Sequence, residues 1–411
     1  MGYVPNFPAS RTLRDIAPRY RCLDTPGQSG FTSPVNVTLF GYPRSGKTTL
    51  FNLLAGARAA VRAYDDGKRE PNVRAVPLPD ARLDRIAAAY PGKTKVAVSL
   101  DLTDLVGISF GEVKTSLLLG HLRKADGLVH VARAFADEDV PHARGRVDPA
   151  ADIRSMEEEL LLADLVLADA RLERLEKDLK KMKDPEGEKE RDLLLRLRPA
   201  LESGQGLRGV PMTAAEEKLV RSHAFLTLKP LLHFINLDEK DLAHIRKPEA
   251  LFPALSARTG DTYQGDMSPS DMSPSGPGRR VLAFCGRIEA DLAELDASER
   301  QAFMAEYGLS EMSAPLFAGQ AVPFLDRISF FTVGKDEVRA WAVRKDASAA
   351  EAAAAIHSDI AKGFIRAEVI AAEELLRHGT LQAAKEAGAI RLEGKDYVVR
   401  DGDVIYFRFA A

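Results

Sequence analysis

The sequence has no long apolar run, only two cysteines and almost balanced charge. No apolar run approaches the ~20 residues of a membrane-spanning helix, and the first residues lack the apolar core of a signal peptide. The two cysteines, Cys22 and Cys285, have no metal-type spacing, and lone thiols suit a reducing cytoplasm. A net charge of −3 argues against a generally basic nucleic-acid binder. We therefore expect a cytoplasmic protein that does not enter a membrane.

The chain of 411 residues is long enough for two or three domains, and its 45% apolar and 28% charged content is ordinary for a soluble globular protein. From residue 35 apolar, strand-like runs alternate with helical patterns, which predicts an α/β fold with a mainly parallel sheet. The predicted strands are 35–40, 96–101, 128–133, 230–235 and 281–285. Ligand sites in such sheets lie beyond the carboxyl ends of the strands.

A complete G-x-x-x-x-G-K-[ST] motif runs from Gly41 to Thr48, between a strand-like run and a helical run. Because main-chain N–H groups and a helix N-terminus form a nest for phosphate oxygens, this context predicts a P-loop nucleotide site. Lys47 is expected to reach the β- and γ-phosphates, and the Thr48 hydroxyl to ligate Mg²⁺. The predicted phosphate-binding residues are Gly41, Arg44, Ser45, Gly46, Lys47, Thr48 and Thr49.

A phosphate loop needs a second carboxylate to hold Mg²⁺ through water. Asp101 follows the apolar run Val96–Leu100 and is expected at the end of that strand. We therefore predict Lys47 and Asp101 as the catalytic residues, and Thr48 and Asp101 as the metal ligands. The alternative for Asp101 is an aspartate that caps a turn.

The strand 230–235 is followed by Asn236-Leu237-Asp238-Glu239, where GTP-specific proteins carry N-K-x-D. The aspartate of that motif accepts hydrogen bonds from guanine, so its replacement together with the lysine predicts a preference for adenine. Asn236 is expected to tie this loop to the phosphate loop, with Leu237 and Glu239 near the base. Cys285 and Gly286, after the last strand, are expected to lie along the base.

Two further units are predicted around the nucleotide-binding domain. Leucines spaced by three and four residues from Leu165 to Met182, and again from Leu194 to Leu201, predict an antiparallel helical hairpin. The C-terminal part reads as a small mixed sheet packed on one or two helices, and Ser348 with Glu351 predicts a capping box at the start of its first helix. Its predicted strands are 327–333, 337–343, 404–409 and two near 365–370 and 397–400. The predicted organisation is an irregular extension (1–34), a nucleotide-binding domain (35–151 and 228–325), a helical insertion (152–227) and a C-terminal domain (326–411).

Together these motifs resemble the Obg-like ATPases, the YchF-type branch of the translation-factor P-loop NTPases. The resemblance covers about 35–411 and is closest in the C-terminal runs Glu337–Trp341, Lys362–Val369 and Leu392–Tyr397, which look like a TGS domain of β-grasp fold. It implies an ATPase that uses Mg²⁺ with ATP as its substrate. It also implies association with the ribosome or ribosomal RNA. The sequence does not define an oligomeric state.

The departures from the family pattern concern the phosphate loop and its two switches. Arg44 replaces the asparagine that helps potassium-dependent relatives hold a monovalent cation, so we expect hydrolysis that is independent of K⁺. Lys68 aligns with the first-switch threonine and cannot ligate Mg²⁺. Reading the second switch, D-x-x-G, as Asp101 to Asp104 puts a carboxylate in place of the glycine. His121 and His130 are water-activating candidates by residue type only, and a structural role is expected for both.

Four functions follow from these features. A slow ATPase acting on the translation machinery agrees with the intact loop and the adenine-type motif. A nucleotide-binding adaptor that does not hydrolyse ATP is favoured by Lys68 and Asp104. Leu237 and Glu239 oppose a GTPase, and the intact loop opposes a structural scaffold. Four basic residues of the C-terminal domain could meet RNA phosphate or be ordinary solvated positions: Lys335, Arg339, Arg344 and Lys345.

Overall fold

The computed structural model describes residues 35–56, 71–105, 107–108, 116–142, 144–253 and 281–410. The predictions for the N-terminal extension, for Lys68 and for the repeated Asp-Met-Ser-Pro-Ser stretch lie outside these residues.

The first sheet confirms the predicted α/β class. Its strands are β1 (Val35–Phe40), β2 (Asn72–Leu78), β4 (Val98–Asp104), β5 (Gly127–Ala134), β6 (Leu231–Leu237) and β7 (Val281–Phe284). Their order is β2–β4–β1–β5–β6–β7, and in the described chain only the edge strand β2 runs antiparallel. The sequence analysis missed β2, in which only Val76 and Leu78 are buried.

Helices cover both faces of this sheet. Those that precede the hairpin are α1 (Lys47–Ala55), α2 (Ala81–Ala89) and α3 (Ser116–Lys124). Alternate side chains of β1 enter different cores: Leu39 packs with Phe51 of α1, and Phe40 packs with Leu122 of α3. This alternation buries the sheet on both sides and leaves only the strand ends accessible.

The helical hairpin forms as predicted, with different boundaries. It consists of α4 (Pro149–Leu179), α5 (Pro185–Glu202) and the short α6 (Ala214–Val220). The helix α4 begins before residue 152, because the Asp148 side chain caps its N-terminus by accepting from Ala151 N at 2.9 Å. Six predicted seam residues are buried: Ala168, Leu172, Leu175, Leu194, Leu197 and Leu201. Met182 is 71% exposed, since α4 ends at Leu179, so its place in the seam is wrong.

Three helices follow the first sheet and lead to the C-terminal domain, namely α7 (Gly286–Glu294), α8 (Ala297–Glu306) and α9 (Ser313–Phe324). The second sheet contains β3 (Thr94–Val96), β8 (Arg327–Val333), β9 (Glu337–Arg344), β10 (Phe364–Ala371), β11 (Arg391–Glu393) and β12 (Asp403–Phe409). Its order is β11–β10–β12–β8–β9–β3. Its helices are α10 (Ala349–Ile356), α11 (Ser358–Lys362), α12 (Ala372–His378) and α13 (Leu381–Glu386).

The C-terminal predictions hold in most details. The expected capping box of α10 is present, with Ser348 and Glu351 bonded to each other's main chain. A strand was predicted at 397–400, but these residues form only one bridge, from Val398 to Ser348. The strand between β10 and β12 in the chain is β11 (Arg391–Glu393) instead.

The two sheets are connected by the strand β3 and by a common apolar core. The strand β3 leaves the first domain and pairs in parallel with β9, and Phe331 of β8 lies in the same apolar core as Leu83 of α2. Arg82 joins them through charge, because its guanidinium contacts Asp80 at 2.8 Å and Asp401 at 2.6 Å. The domains are therefore packed as one body along this interface. None of the helices described is both long and apolar enough to cross a membrane.

Candidate nucleotide-binding site

The phosphate loop connects β1 to α1 and is shaped by two glycines. Gly46 has φ = 96°, and a Cβ there would lie 2.2 Å from Asn236 Nδ2. A Cβ on Gly41 would lie 2.5 Å from the Val131 carbonyl oxygen. Only glycine fits these two close approaches, so the loop holds the form that its motif predicts.

The predicted phosphate-binding residues are brought together in this loop. The Lys47 side chain is buried, and its ammonium donates to the Tyr42 carbonyl at 2.8 Å, across the loop. Ser45 is buried, whereas Thr48 and Thr49 are half-buried in the first turn of α1. Lys47 thus lies where its charge can face an anion held by the loop amides.

The carboxylate beside the loop is Asp104, and the prediction that Asp101 ends its strand is wrong. The strand β4 continues to Asp104, while Asp101 lies in its middle, in register with Asn36 at the start of β1. Thr48 Oγ1 donates to Asp104 Oδ2 at 2.9 Å. Burial raises the pKa of Asp101, but no described contact joins it to the phosphate loop.

Because β4 ends at Asp104 rather than at Asp101, the second-switch motif is assigned to different residues. When the D-x-x-G pattern starts at Asp104, it ends at Gly107. The sequence analysis placed this motif three residues too early and so wrongly assigned an aspartate to the glycine position. A Cβ on Gly107 would lie 2.7 Å from Pro43 Cα, which shows how closely the two loops approach. The Ile108 amide donates to the Gly41 carbonyl at 3.0 Å. The second switch therefore retains its carboxylate and its glycine.

The oxygens of Thr48 and Asp104 fit a magnesium ion, which prefers hard oxygen ligands in an octahedral shell and keeps several waters. The described residues contain no group of three or more histidine, cysteine or acidic side chains that could form a metal site by themselves. That arrangement suits a metal held mainly by phosphate and water.

Asn236 connects the base loop to the phosphate loop, as expected. Its Nδ2 donates to the Ser45 carbonyl at 3.2 Å, and its Oδ1 accepts from Gly286 N at 2.9 Å. Cys285 is buried, and Leu237 is the buried last residue of β6. This amide orders three segments that lie far apart in the sequence.

Glu239 follows the same loop and is partly exposed. Its carboxylate contacts the Arg287 guanidinium at 3.1 Å, and Arg287 is itself 82% exposed. The carboxylate of the preceding residue, Asp238, accepts from the Ala136 amide at 3.3 Å. The base loop is thereby fixed to the residues that follow β5.

Arg44 adopts the left-handed conformation, with φ = 62°, and its guanidinium donates to the Pro141 carbonyl at 3.2 Å. The side chain therefore turns from the phosphate loop toward residues that precede α4. A fixed positive charge thus stands at this position of the phosphate loop.

His130 was expected to be structural, and the structure places it directly under the loop. Its ring is fully buried, and a Cβ on Gly41 would lie 3.3 Å from its Cδ2. Its Nδ1 lies 3.2 Å from His233 Nδ1, and His233 Nε2 lies 3.3 Å from Glu157 Oε1. Burial, aided by His233 and Lys47, lowers the pKa of His130 well below its ordinary value. The neutral His130 ring and its contact with His233 thus join the loop to α4. His121 lies in α3.

Arg133 is a functional candidate that the sequence analysis missed. It is 2% exposed, stands opposite Asn236 in the register of β5 and β6, and lies 4.2 Å over the Phe135 ring. Its Nε donates to the Phe135 carbonyl at 3.0 Å, and Nη1 has no hydrogen-bond partner within the described residues. Burial lowers the pKa of Arg133. An arginine at a strand end carries no motif, so its position depends on the sheet register.

The chain is similar to known proteins along most of its length. A family model described as a 50S ribosome-binding GTPase matches residues 36–188. A second model, YchF-GTPase_C, described as a protein of unknown function, matches residues 327–410. The ribosome-binding ATPase YchF of Bacillus subtilis is 38% identical over 90% of this chain and 98% of its own length. Obg-like ATPase 1 of Homo sapiens is 33% identical over 92% and 93%. The solved Schizosaccharomyces pombe YchF GTPase covers 93% of this chain and 100% of its own, with a TM-score of 0.72 and 26% identity.

Proposed function

Because the chain belongs to the family of YchF and Obg-like ATPases, we propose that it binds ATP and hydrolyses it slowly to ADP and phosphate. We further propose that it acts as a nucleotide-dependent factor on the ribosome. The observation that carries the first proposal is the phosphate loop, with Lys47 buried across it and Asn236 locking it to the base loop. A cytoplasmic location follows from a ribosomal partner.

Thr48 and Asp104 are proposed to hold Mg²⁺, Thr48 directly and Asp104 through water. A Mg²⁺ ion held there would supply positive charge that stabilises the phosphate oxygens of ATP. Lys47 and the loop amides would bind the phosphate oxygens. We propose that the Gly107 amide, in the segment packed against Pro43, would donate to the γ-phosphate.

The base loop supports adenine over guanine. Guanine-specific loops use an aspartate that accepts from two guanine donors, whereas this chain has Glu239 in contact with Arg287. Leu237 replaces the lysine of that motif and is buried. Asn236, Leu237, Glu239, Cys285 and Gly286 therefore remain the proposed base-side residues. Arg133 joins them as a buried donor beside the same loop.

The alternative function is a nucleotide-binding adaptor that does not hydrolyse ATP. Two sequence features favoured it, but one of them, a carboxylate in place of the second-switch glycine, disappears once Asp104 begins that motif. The remaining support is Lys68 at the first-switch position. Slow hydrolysis is accordingly the better-supported proposal.

Direct titration and single-turnover kinetics separate these functions. The purified chain is titrated with labelled ATP, ADP and GTP with and without Mg²⁺, and phosphate release is followed for hours beside a Lys47→Ala control. We expect ATP to bind more tightly than GTP, and phosphate release that needs both Lys47 and Mg²⁺. Binding without release supports the adaptor, and tighter GTP binding contradicts the adenine preference.

The role of Arg44 has its own test. With a guanidinium in place of the cation-holding asparagine, we expect equal rates of phosphate release in K⁺ and in Na⁺ at constant ionic strength. A rate that rises strongly in K⁺ would show that Arg44 does not replace the cation.

Ribosome association is tested by co-sedimentation with ribosomes at increasing salt, with ATP or ADP present. If basic residues such as Lys335 and Lys345 contact RNA phosphate, the bound fraction falls steeply as salt rises. Association that is insensitive to salt would contradict a contact between these residues and RNA phosphate. A lack of association with either nucleotide would contradict the proposed role on the ribosome.

A further inference from the structure

Arg133 is a buried cation in the crevice between the phosphate loop and the base loop. The strand β1 ends at Phe40, opposite His130, and the phosphate loop begins there. The strands β5 and β6 continue beyond this level, up to the pairing of Ala134 with Leu237. Arg133 therefore stands on the strand between the two loops, past the point at which the phosphate loop leaves the sheet.

The Arg133 side chain is on the same face of the sheet as Asn236. Val131 of β5 lies in the core that α1 covers, whereas Ala132 packs with Ile153 of α4. Because side chains alternate along a strand, Arg133 returns to the α1 side. Its partner in register, Asn236, points the same way and bonds to the phosphate loop. The guanidinium is therefore on the face that the nucleotide motifs share.

The guanidinium of Arg133 is held at one edge and lacks a partner at another. Its Nε donates to the Phe135 carbonyl at 3.0 Å, which fixes the group in place. Its Nη1 has no hydrogen-bond partner within the described residues, although Arg133 is only 2% exposed. Burial lowers the pKa of Arg133 more than the exposed Asp137 raises it, and Arg44 lowers it further. A buried cation without an acceptor is costly, so this edge suits a ligand that supplies one.

The base loop offers no such group on this face. Leu237 stands at the lysine position of N-K-x-D and packs into the core on the α4 side. Two cations near this loop already have acidic partners, since Lys240 lies 3.8 Å from Asp238 and Arg287 lies 3.1 Å from Glu239. A cation for the α1 side of the crevice therefore has to come from a neighbouring strand.

We propose that Arg133 binds the nucleoside half of the nucleotide, with Nη1 donating to an acceptor of the ribose or of the purine. This inference rests on the proposed binding of ATP. The phosphates have their own donors in the loop amides and in Lys47, which lies across the loop at the Tyr42 carbonyl. Arg133 is instead level with Asn236, at the start of the base loop.

The guanidinium would act by orienting the nucleoside. Its donors lie in one plane, and the Phe135 carbonyl fixes that plane, so little conformational entropy is lost when a further hydrogen bond forms. Arg133 thus supplies from β5 a positive charge that guanine-specific proteins carry on the base loop itself. A water molecule would satisfy one N–H group of Arg133 but would leave its charge unpaired.

Two ligands separate a nucleoside contact from a phosphate contact. Calorimetry measures the affinity of the full-length chain for ATP and for inorganic tripolyphosphate, both with Mg²⁺, because tripolyphosphate lacks a nucleoside. Arg133→Met should weaken ATP by about tenfold more than it weakens tripolyphosphate. Loss of a charge acts through space on both anions alike, so the ratio of the two losses isolates the contact. Phosphate release at saturating ATP should change less than about twofold.

Two further variants support this comparison. Arg133→Lys keeps the charge but cannot hold the Phe135 carbonyl and the nucleotide together, so its loss should be intermediate. Arg208→Met is the matched control, because the Arg208 Nε also donates to a carbonyl, that of Lys229 at 2.7 Å, ahead of β6 at the other end of the sheet. It should bind both ligands as the unmodified chain does. Circular dichroism verifies folding, and Arg133→Lys replaces the methionine variant if the latter is unfolded.

GTP identifies the acceptor. Equal fold losses for ATP and GTP in Arg133→Met would assign the contact to the ribose, and a loss confined to ATP would assign it to the adenine edge. Either result supports the nucleoside contact.

Two results would overturn the inference. Equal fold losses for ATP and tripolyphosphate would place Arg133 beside the phosphates, and unchanged affinity for ATP in both Arg133 variants would make it a structural residue of β5. Failure of the unmodified chain to bind ATP would overturn the proposed function together with this inference. ATP binding that is insensitive to Arg133 would leave the proposed function intact.

Discussion

At the scale of single residues, the chemistry of the nucleotide site depends on a few close contacts. Asn236 orders the phosphate loop and the base loop with one amide, and Gly46 leaves the space that this amide needs. Asp104 contacts Thr48 at 2.9 Å, three residues along β4 from Asp101. Each of these contacts can be tested by a single substitution.

The two aspartates of β4 provide a matched pair. Asp104→Asn removes the charge beside Thr48 and should lower the Mg²⁺-dependent rate of phosphate release by about a hundredfold, as for loss of one transition-state contact. Asp101→Asn should change that rate less than about twofold, since Asp101 lies in mid-strand. The measurement is single-turnover release across a Mg²⁺ titration. A larger effect at Asp101 would restore the prediction made from sequence.

His130 should make folding sensitive to pH. Its folded pKa lies well below its ordinary value because of burial, with His233 and Lys47 adding to it. As pH falls below about 6.5 the unfolded chain takes up a proton that the folded chain refuses, so stability is lost by up to about 1.4 kcal/mol per pH unit. His130→Gln should remove this contribution to the dependence of the free energy of unfolding on pH.

Urea denaturation at about pH 7.5 and 5.5 gives the free energy of unfolding of the variant and of the unmodified chain. The two chains share the same carboxylates, so the difference between their pH dependences isolates the contribution of His130. His378→Gln, in the last turn of α12, is the control and should retain the full slope. Equal slopes for His130→Gln and the unmodified chain would mean that the imidazole is not held neutral.

At the scale of elements, buried acceptors hold the helices in place. Asp164 of α4 is fully buried and accepts from Leu226 N at 2.9 Å and from Thr227 N at 2.7 Å. These bonds fix the hairpin to the chain that returns to β6. The seam of leucines makes the hairpin, but Asp164 determines where it is attached.

Asp164→Ala should lower the free energy of unfolding by about 3 kcal/mol, because it leaves buried amide donors without an acceptor. Asp169→Ala, on the same helix as Asp164, removes an exposed ion pair with Arg198 of α5 and should cost less than about 1 kcal/mol. Denaturant unfolding followed by circular dichroism measures both. Similar losses in the two variants would show that Asp164 does not anchor the hairpin.

At the scale of the whole molecule, the first sheet and the C-terminal sheet are held together by β3 and by Arg82. The Arg82 guanidinium contacts carboxylates of both domains and lies 5.3 Å over the Phe331 ring. Arg85, one turn further along α2, pairs with Glu373 but both are mostly exposed. The first arginine is therefore part of the interface, and the second lies on its rim.

Arg82→Ala should destabilise the C-terminal domain by about 2 kcal/mol, since it removes charged hydrogen bonds at a partly buried position. Arg85→Ala should cost less than about 1 kcal/mol. Trp341 emission follows unfolding of this domain specifically, because it is the only tryptophan. If Arg82→Ala leaves the tryptophan transition unchanged, the domains are held by β3 and apolar packing alone.

The phosphate loop, the hairpin and the capping box of α10 were all determined by the sequence, because each depends on residues close together in the chain. The register of β4, the His130–His233 contact and the position of Arg133 were decided only by the tertiary structure. The physical reason is that strand pairing brings together residues far apart in sequence, and a shift of three residues along one strand exchanges Asp101 for Asp104 at the loop.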